Sequence, residues 1–352
     1  MPFITLIEDQ KLCLDSVHPV RAEILSDLYA FYDEWRNCSS EIFSFSSGST
    51  GTPKKIALNK DAMIQSAILT CSHLKIPEGV TSLLCMPLRF IGAKMVVVRA
   101  LVNRLKLVVC EPSSHPLKDL DEAPYFAAMT PPQVISSLEN DKESAILSDI
   151  RVLIIGGGAI DSNLLNILKD FRYEVYSTYG MTETLSHIAL RRLSGQTQSG
   201  YRPFDGVTVK QAADGTAVIS CQKIGVQDLK TNDLIDYNYD GTFRLIGRLD
   251  NVINSGGIKI QIEAAESALK EILDFEFNIT YVPDHLLGQK AVMLTLEEMT
   301  APLIRQCHDI LPRYWAPKNY IKVPSLPKTL SGKPDRKALS HMACKLLNLH
   351  YD

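Results

Sequence analysis

No two of the eight cysteines in this 352-residue chain stand in a C-x-x-C pair. Cys13, Cys38, Cys71, Cys85, Cys110, Cys221, Cys307 and Cys344 are scattered singly. That fits neither a metal cluster, whose ligands come in close pairs, nor a small disulfide framework, so reduced structural thiols are expected. An excess of positive charge is missing as well. The 37 Lys and Arg residues stand against 40 Asp and Glu, a net charge of −3, so the whole molecule offers no footprint for nucleic acid. No long apolar run is uninterrupted: the most apolar stretch, Ser82 to Val102, is broken by Arg89, Lys94 and Arg99, which excludes an ordinary membrane span. Met1 to Gln10 carries Glu8 and Asp9 where a signal peptide would have a basic start and an apolar run. A cytoplasmic location is the expectation.

Hydrophobic residues make up 45% of the chain, enough for a sizeable core. Short β-branched runs (Thr81–Pro87, Leu105–Glu111, Tyr125–Thr130, Arg151–Gly156, Glu174–Tyr179) alternate with helical patterns at Asp61–Leu74, Pro131–Asn140 and Asp161–Phe171. Alternation of this kind predicts an α/β layered fold with a largely parallel sheet. From Tyr201 to Leu245 the pattern turns to short strands around Asp214-Gly215 and Asp240-Gly241, a small β-rich subdomain. Beyond Gly247-Arg248-Leu249-Asp250 come a helix at Glu263–Leu273, strands at Asn278–Pro283 and Ala291–Leu296, a helix at Pro302–Ile310 and a proline-punctuated tail. A domain boundary is expected near Asp250. From Arg313 onward eight basic residues face only Asp335 and Asp352, which is either a solvated surface or a site for phosphate-bearing ligands.

The densest local signal is Ser44 to Lys55, with six hydroxyls, two glycines and two lysines in twelve positions. Glycines let backbone N–H groups turn toward an anion, hydroxyls add donors, and lysine supplies compensating charge. Each hydrogen bond to a charged phosphate is worth roughly 1.5–3 kcal/mol. Composition alone would also suit a Ser/Gly linker. The apolar run before the segment, the amphipathic helix after it and the stiff Pro53-Lys54-Lys55 ending favour a phosphate loop. It is not a Walker loop, because the G-x-x-x-x-G-K-[ST] order is absent.

Ser46, Ser47, Gly48, Ser49, Thr50, Gly51, Thr52 and Lys54 resemble the phosphate loop of the adenylate-forming superfamily, and further motifs follow in that family's order. Tyr179-Gly180-Met181-Thr182-Glu183-Thr184 is similar to its adenine and metal motif. The resemblance implies that Tyr179 and Gly180 lie by the base, that Thr182 meets the α-phosphate, and that Glu183 holds Mg²⁺. Gly157, Gly158 and Ala159 resemble the glycine turn that packs on adenine, although a plain βα turn reads the same way. Thr231-Asn232-Asp233 stands for T-G-D, implying that Asp233 accepts from the ribose hydroxyls; asparagine tolerates the left-handed angles of the missing glycine. Arg248 would sit near the ribose, Asp250 would be the hinge, and Gly257 and Lys259 would meet coenzyme A. Leu330 to Arg336 resembles the loop that delivers a catalytic lysine, Lys333.

The resemblance implies a large domain, residues 1–249, shortened at its N-terminus and carrying the β-rich subdomain. A small mobile α+β C-terminal lid, residues 250–352, would follow it. It implies ATP, Mg²⁺ and coenzyme A as reactants for activating a small carboxylic acid. The shortness, and the text around Leu185-Ser186-His187-Ile188, are similar to compact o-succinylbenzoate–CoA ligases of menaquinone biosynthesis. Arg89, Ser177 and His187 are the expected acyl-pocket residues. Arg89 stands at or beside the position where many relatives have histidine, and reads either as a partner for a second carboxylate or as a surface arginine. Other aryl or acyl acids, a carrier-protein thiol in place of coenzyme A, and a non-catalytic nucleotide-binding relative remain open, as does a homo-oligomeric state.

Overall fold

Strand β1 (Cys13–Val17) is followed by helix α1 (Ala22–Arg36) and a hairpin of β2 (Glu41–Phe45) and β3 (Lys55–Asn59). The computed structural model describes residues 11–17, 20–45, 55–329 and 333–349. The expected phosphate loop, Ser46 to Lys54, therefore lies outside the described residues, while the two paired strands that carry it lie inside. Then come α2 (Lys60–His73), β4 (Thr81–Leu84), α3 (Ile91–Val102), β5 (Lys106–Val109), β6 (Phe126–Met129), α4 (Pro131–Leu138), α5 (Asp141–Asp149), β7 (Val152–Ile155), α6 (Ser162–Leu168), β8 (Glu174–Met181), β9 (Ser186–Arg192) and β10 (Arg202–Pro203). These strands form one sheet in the order β1-β5-β4-β6-β7-β8-β9-β10. It is parallel from β1 to β8 and antiparallel at β8–β9 and β9–β10.

Both faces of this sheet are covered, so its strands are apolar on both sides. Leu84, Leu107, Val109, Phe126, Ala128, Val152 and Ile154 point into the core under α2 and α3. Leu83, Val108, Ala127, Met129, Leu153 and Ile155 point into a second core with Val134, Leu147 and Leu164 of α4, α5 and α6. Caps set the helix limits. Asn59 accepts from the Ala62 N–H at 3.0 Å, and Asp161 from the Leu164 N–H at 2.8 Å. The helix expected to run from Pro131 to Asn140 stops at Leu138 because Asn140 caps the next one, accepting from the Glu143 N–H at 3.1 Å.

A four-stranded antiparallel sheet follows, made of β11 (Thr208–Gln211), β12 (Thr216–Cys221), β13 (Val226–Tyr237) and β14 (Phe243–Arg248). Past a short turn, Leu249–Asn251, the C-terminal unit holds β15 (Val252–Ser255), β16 (Ile258–Gln261), α7 (Ile262–Leu269), β17 (Phe277–Asp284), β18 (Gly288–Thr295), α8 (Ala301–Ile310), β19 (Asn319–Lys322) and α9 (Arg336–Leu346). Its sheet has the order β16-β15-β18-β17, with β19 beside β18. Helices α7 and α8 pack on one face around Ile279 and Met293; α9 packs on the other around Val292 and Leu294. All eight cysteines are free, six of them buried. Among the described residues no helix is long and apolar enough to cross a membrane.

Candidate nucleotide and acyl-acid site

Open α/β sheets bind ligands beyond the carboxyl ends of their parallel strands. Gly157, Gly158 and Ala159 lie there, exposed at the end of β7. Beside them β8 carries Ser177, Tyr179 and Gly180 and ends in the turn that holds Thr182 and Glu183. This turn is tightly bonded. Thr184 Oγ1 accepts from the Met181 N–H at 2.9 Å and lies 2.7 Å from the Ser186 carbonyl, to which it donates. Leu185 and Ser186 have φ of 55° and 91°, and only glycine fits opposite them: a Cβ on Gly180 would stand 2.0 Å from the Ser186 carbonyl oxygen.

The antiparallel sheet brings a charge network to the same place. Asp233 on β13 and Arg248 on β14 are direct cross-strand partners, so their side chains meet. Arg248 Nη1 donates to Asp233 Oδ1 at 3.0 Å, and the Tyr179 hydroxyl donates to Asp233 Oδ2 at 2.9 Å. The other edge of the guanidinium grips Asp250 through Nε at 2.9 Å and Nη2 at 2.8 Å. The hydrogen bonds to Asp250 are the main reason that the Arg248 pKa is raised, burial opposing it. Burial works against ionisation of Asp250, but Arg248 overcomes it and the pKa is lowered. Tyr179 is 4% exposed, and burial, followed by the Asp233 charge, raises its phenol far above the ordinary value. Its ring is packed edge-on against Phe243, 5.2 Å between centroids.

Lys333 arrives at this network from the far end of the chain. Its carbonyl accepts from the Thr329 N–H at 2.7 Å. Three residues on, Arg336 holds Glu266 of α7 through Nη1 at 2.6 Å and Nη2 at 2.8 Å. Lys333 is solvent-exposed as a residue, yet protein crowded around its ammonium and the neighbouring Arg248 charge lower its pKa, with Asp233 pulling the other way. Thus Tyr179, Asp233, Arg248 and Asp250 are joined by hydrogen bonds, and Lys333, distant in sequence, lies within electrostatic range of Arg248 and Asp233. Gly257 and Lys259 lie exposed on the β15–β16 hairpin, and no described contact joins them to this network.

Deeper around β8 and β9 the surroundings are dry. His187 is 4% exposed; its Nε2 lies 3.1 Å from Thr70 Oγ1, and its Nδ1 lies 3.2 Å from Ser186 Oγ. Burial first, and then the charge of Arg99, hold its pKa well below the usual value, so the ring is neutral. Arg99, on α3, is 1% exposed, with Nη2 3.4 Å from Ser186 Oγ and 3.5 Å from His187 Nδ1. Its Nε is buried without a hydrogen-bond partner, and among the described residues no carboxylate pairs with it. Burial lowers its pKa to about 10, still cationic at neutral pH. Ser177, 1% exposed, shares a 2.8 Å hydrogen bond with the Tyr201 hydroxyl.

Arg89, expected in the acyl pocket, is placed on the surface with its guanidinium over the Phe90 ring at 4.9 Å. The reason is the turn Pro87–Phe90 that starts α3, which leaves Arg89 outside and carries Arg99 inside two and a half helical turns later. The stretch from Met86 through Arg99 resembles the acyl-pocket segment of o-succinylbenzoate–CoA ligases, but Arg89 was the residue chosen from it, and Thr70 and Tyr201 were not singled out. A lone arginine inside Met-Val-Val-Val-Arg-Ala-Leu-Val is a visible signal, because an unpaired buried charge is too costly to be incidental.

The model of the AMP-binding enzyme family matches residues 40–226. An acyl-CoA synthetase (AMP-forming)/AMP-acid ligase II-like protein from Dyadobacter fermentans is 31% identical, with 95% of this chain and 97% of that one covered, at a TM-score of 0.62. The curated 2-succinylbenzoate–CoA ligase of Bacillus cereus (strain AH820) is 26% identical over 85% of this chain and 69% of its own length. The o-succinylbenzoate coenzyme A synthetase of Bacillus subtilis, solved with ATP and magnesium, shares the fold at a TM-score of 0.74 and 20% identity, over 91% of this chain and 78% of that one. The chain belongs to the AMP-binding enzyme family.

Proposed function

We propose that the protein joins o-succinylbenzoate to coenzyme A through an acyl-adenylate. At the coarser level it is an AMP-forming acid–thiol ligase, consuming ATP with Mg²⁺ and coenzyme A. The observation that supports the site assignment most is the hydrogen-bonded network of Tyr179, Asp233, Arg248 and Asp250 at the ends of the parallel strands, with Lys333 in electrostatic range of it.

A carboxylate is a poor electrophile, and it meets like charge when it attacks a phosphate. In the proposed first step a carboxylate oxygen bonds to the α-phosphorus of ATP while the bond to pyrophosphate breaks, giving a mixed anhydride with AMP as leaving group. Asp233, held by Tyr179 and Arg248, is set to accept from the ribose; Lys333 is set to neutralise charge developing on the reacting oxygens. Magnesium would lower the charge on the phosphates. Among the described residues no cluster of three or more acidic, His or Cys side chains could cage a metal, so Glu183 fits as one protein ligand completed by phosphate oxygens and water. In the second step a thiol sulfur attacks the acyl carbon and AMP leaves. Residues 250–352 would act as the lid, turning about Asp250 to withdraw Lys333 and present Gly257 and Lys259.

Arg99 supports the choice of a diacid. One carboxylate of o-succinylbenzoate reacts, and the other needs a cation shielded from water. A buried guanidinium without a carboxylate partner is suited to that role. ATP–pyrophosphate exchange across a panel of acids, repeated as thioester formation with coenzyme A and with a carrier-protein thiol, tests the reading. Exchange with o-succinylbenzoate and acylation of coenzyme A are expected. Exchange with monocarboxylic acids alone would overturn the substrate, and no exchange with any acid would overturn the reaction.

A further inference from the structure

The start of α7 poses a problem that neither nucleotide nor acyl chemistry explains. Glu263, in its first turn, accepts a hydrogen bond at Oε1 from the Nδ2 of Asn251, the neighbour of Asp250. Its Oε2 is buried and has no partner, and the Oε1 of Gln261 is buried without one too. Both oxygens face the backbone of Gly247 on β14. A Cβ at Gly247 would lie 2.8 Å from Glu263 Oε2 and 3.1 Å from Gln261 Oε1. Two acceptors turned into one dry corner repel each other unless one of them carries a proton or the Gln261 amide turns to present its NH2.

The surrounding charges do not remove the need for that proton. Arg248, on β14, donates to Asp233 and to Asp250. Arg336, at the start of α9, holds Glu266 through both terminal nitrogens. Glu266 adds negative charge nearby. Burial raises the Glu263 pKa against the Asn251 hydrogen bond, the residue's own backbone N–H and the Arg336 charge, and the Glu266 charge adds a little to the rise.

We propose that Glu263 occupies this junction as a neutral carboxylic acid donating to Gln261, and that its proton positions the C-terminal unit on β14 with Lys333 beside Asp233. Glu263 is thus a positioning residue, acting through the junction and not on substrate; this part rests on the reading of Lys333 given above. A carboxyl whose pKa is raised keeps its proton above the usual carboxylate range. As pH climbs through that raised value, the junction gains a buried charge with too few donors and its hold on α7 weakens. Adenylation then falls, whereas thioester formation from a supplied acyl-adenylate does not.

Two measurements test this on the full chain. The first is the infrared carbonyl band of a protonated carboxylic acid, compared between the native protein and Glu263→Gln. The band is expected in the native protein at pH values well above about 4.3, the ordinary glutamate value, and absent from the variant. Its absence from both would mean an ionised Glu263 served by a turned Gln261 amide, and would overturn the proposal. The second is the pH profile of ATP–pyrophosphate exchange. Native exchange should drop by roughly fivefold across the band's titration, the weight of one net hydrogen bond, while Glu263→Gln, whose amide cannot ionise, stays level. Identical profiles in the two proteins would overturn the positioning role. If neither protein exchanges with any acid, the functional reading fails, and the band alone still decides the state of Glu263.

Discussion

Two regions around β8 and β9 treat charge in opposite ways. Around Asp233 each described charge is answered: Arg248 faces two carboxylates, Tyr179 donates to one of them, and Lys333 completes the group. Around Arg99 a guanidinium is sealed from water with hydroxyl and imidazole neighbours and no carboxylate among the described residues. The first arrangement is pre-organised, so binding there need not reorganise its charges. The second carries a desolvation cost until a ligand brings the missing anion. In the proposed function the first surface stabilises a transition state and the second selects a substrate.

The largest expected effect breaks the first region. Lys333→Ala should lower the rate of adenylation by about 10²–10³, the scale of losing one pre-organised donor. Thioester formation from a supplied acyl-adenylate should change little. Rapid-quench measurement of both half-reactions checks this, and equal losses would contradict the assigned role. Next, Arg99→Met should raise KM for a dicarboxylic acid by roughly 10–100-fold, the range of one or two charge-assisted hydrogen bonds, and leave monocarboxylic acids nearly untouched. The same variant should unfold at a higher temperature, because a buried charge without a counter-ion has been replaced by a thioether. A rise in KM together with a fall in thermal midpoint would point to a structural role.

The smallest effect concerns pH. The His187 pKa is depressed in the folded protein, so below about 6.5 the unfolded chain takes up a proton that the folded chain refuses. Its contribution to stability is full above that value and is lost as pH falls below it. Denaturant unfolding at pH 7.5 and 5.5 should show a larger decrease for the native protein than for His187→Gln. An equal decrease in both would mean that other groups govern acid stability.

Much of the fold was legible because local rules and tertiary packing agreed. The strands predicted at Thr81, Leu105, Tyr125, Arg151 and Glu174 are β4 to β8, the first four trimmed at their ends and β8 extended to Met181, and Asn59 and Asp161 cap the helices they precede. Helix α3 escaped notice since an apolar segment buried on all sides has no amphipathic period to read. Helix α9 was hidden in the proline-rich tail, its start marked only by the Asp335 cap, which accepts from the Ala338 N–H at 3.0 Å. Among site residues, Tyr179, Asp233, Arg248 and Lys333 announced themselves through neighbours in motifs. Arg99 did not, because its meaning lies in the partner it lacks, and that is a property of space.

Order was therefore present in the linear chain: which strands alternate with helices, and where the parallel sheet gives way to a β-rich subdomain. Depth was not. That Arg89 faces solvent while Arg99 is sealed, and that Glu263 and Gln261 turn two acceptors on Gly247, follow only when helices and sheets close on one another. The physical reason is that the cost of a charge depends on the medium around it, and that medium is made by residues distant in sequence.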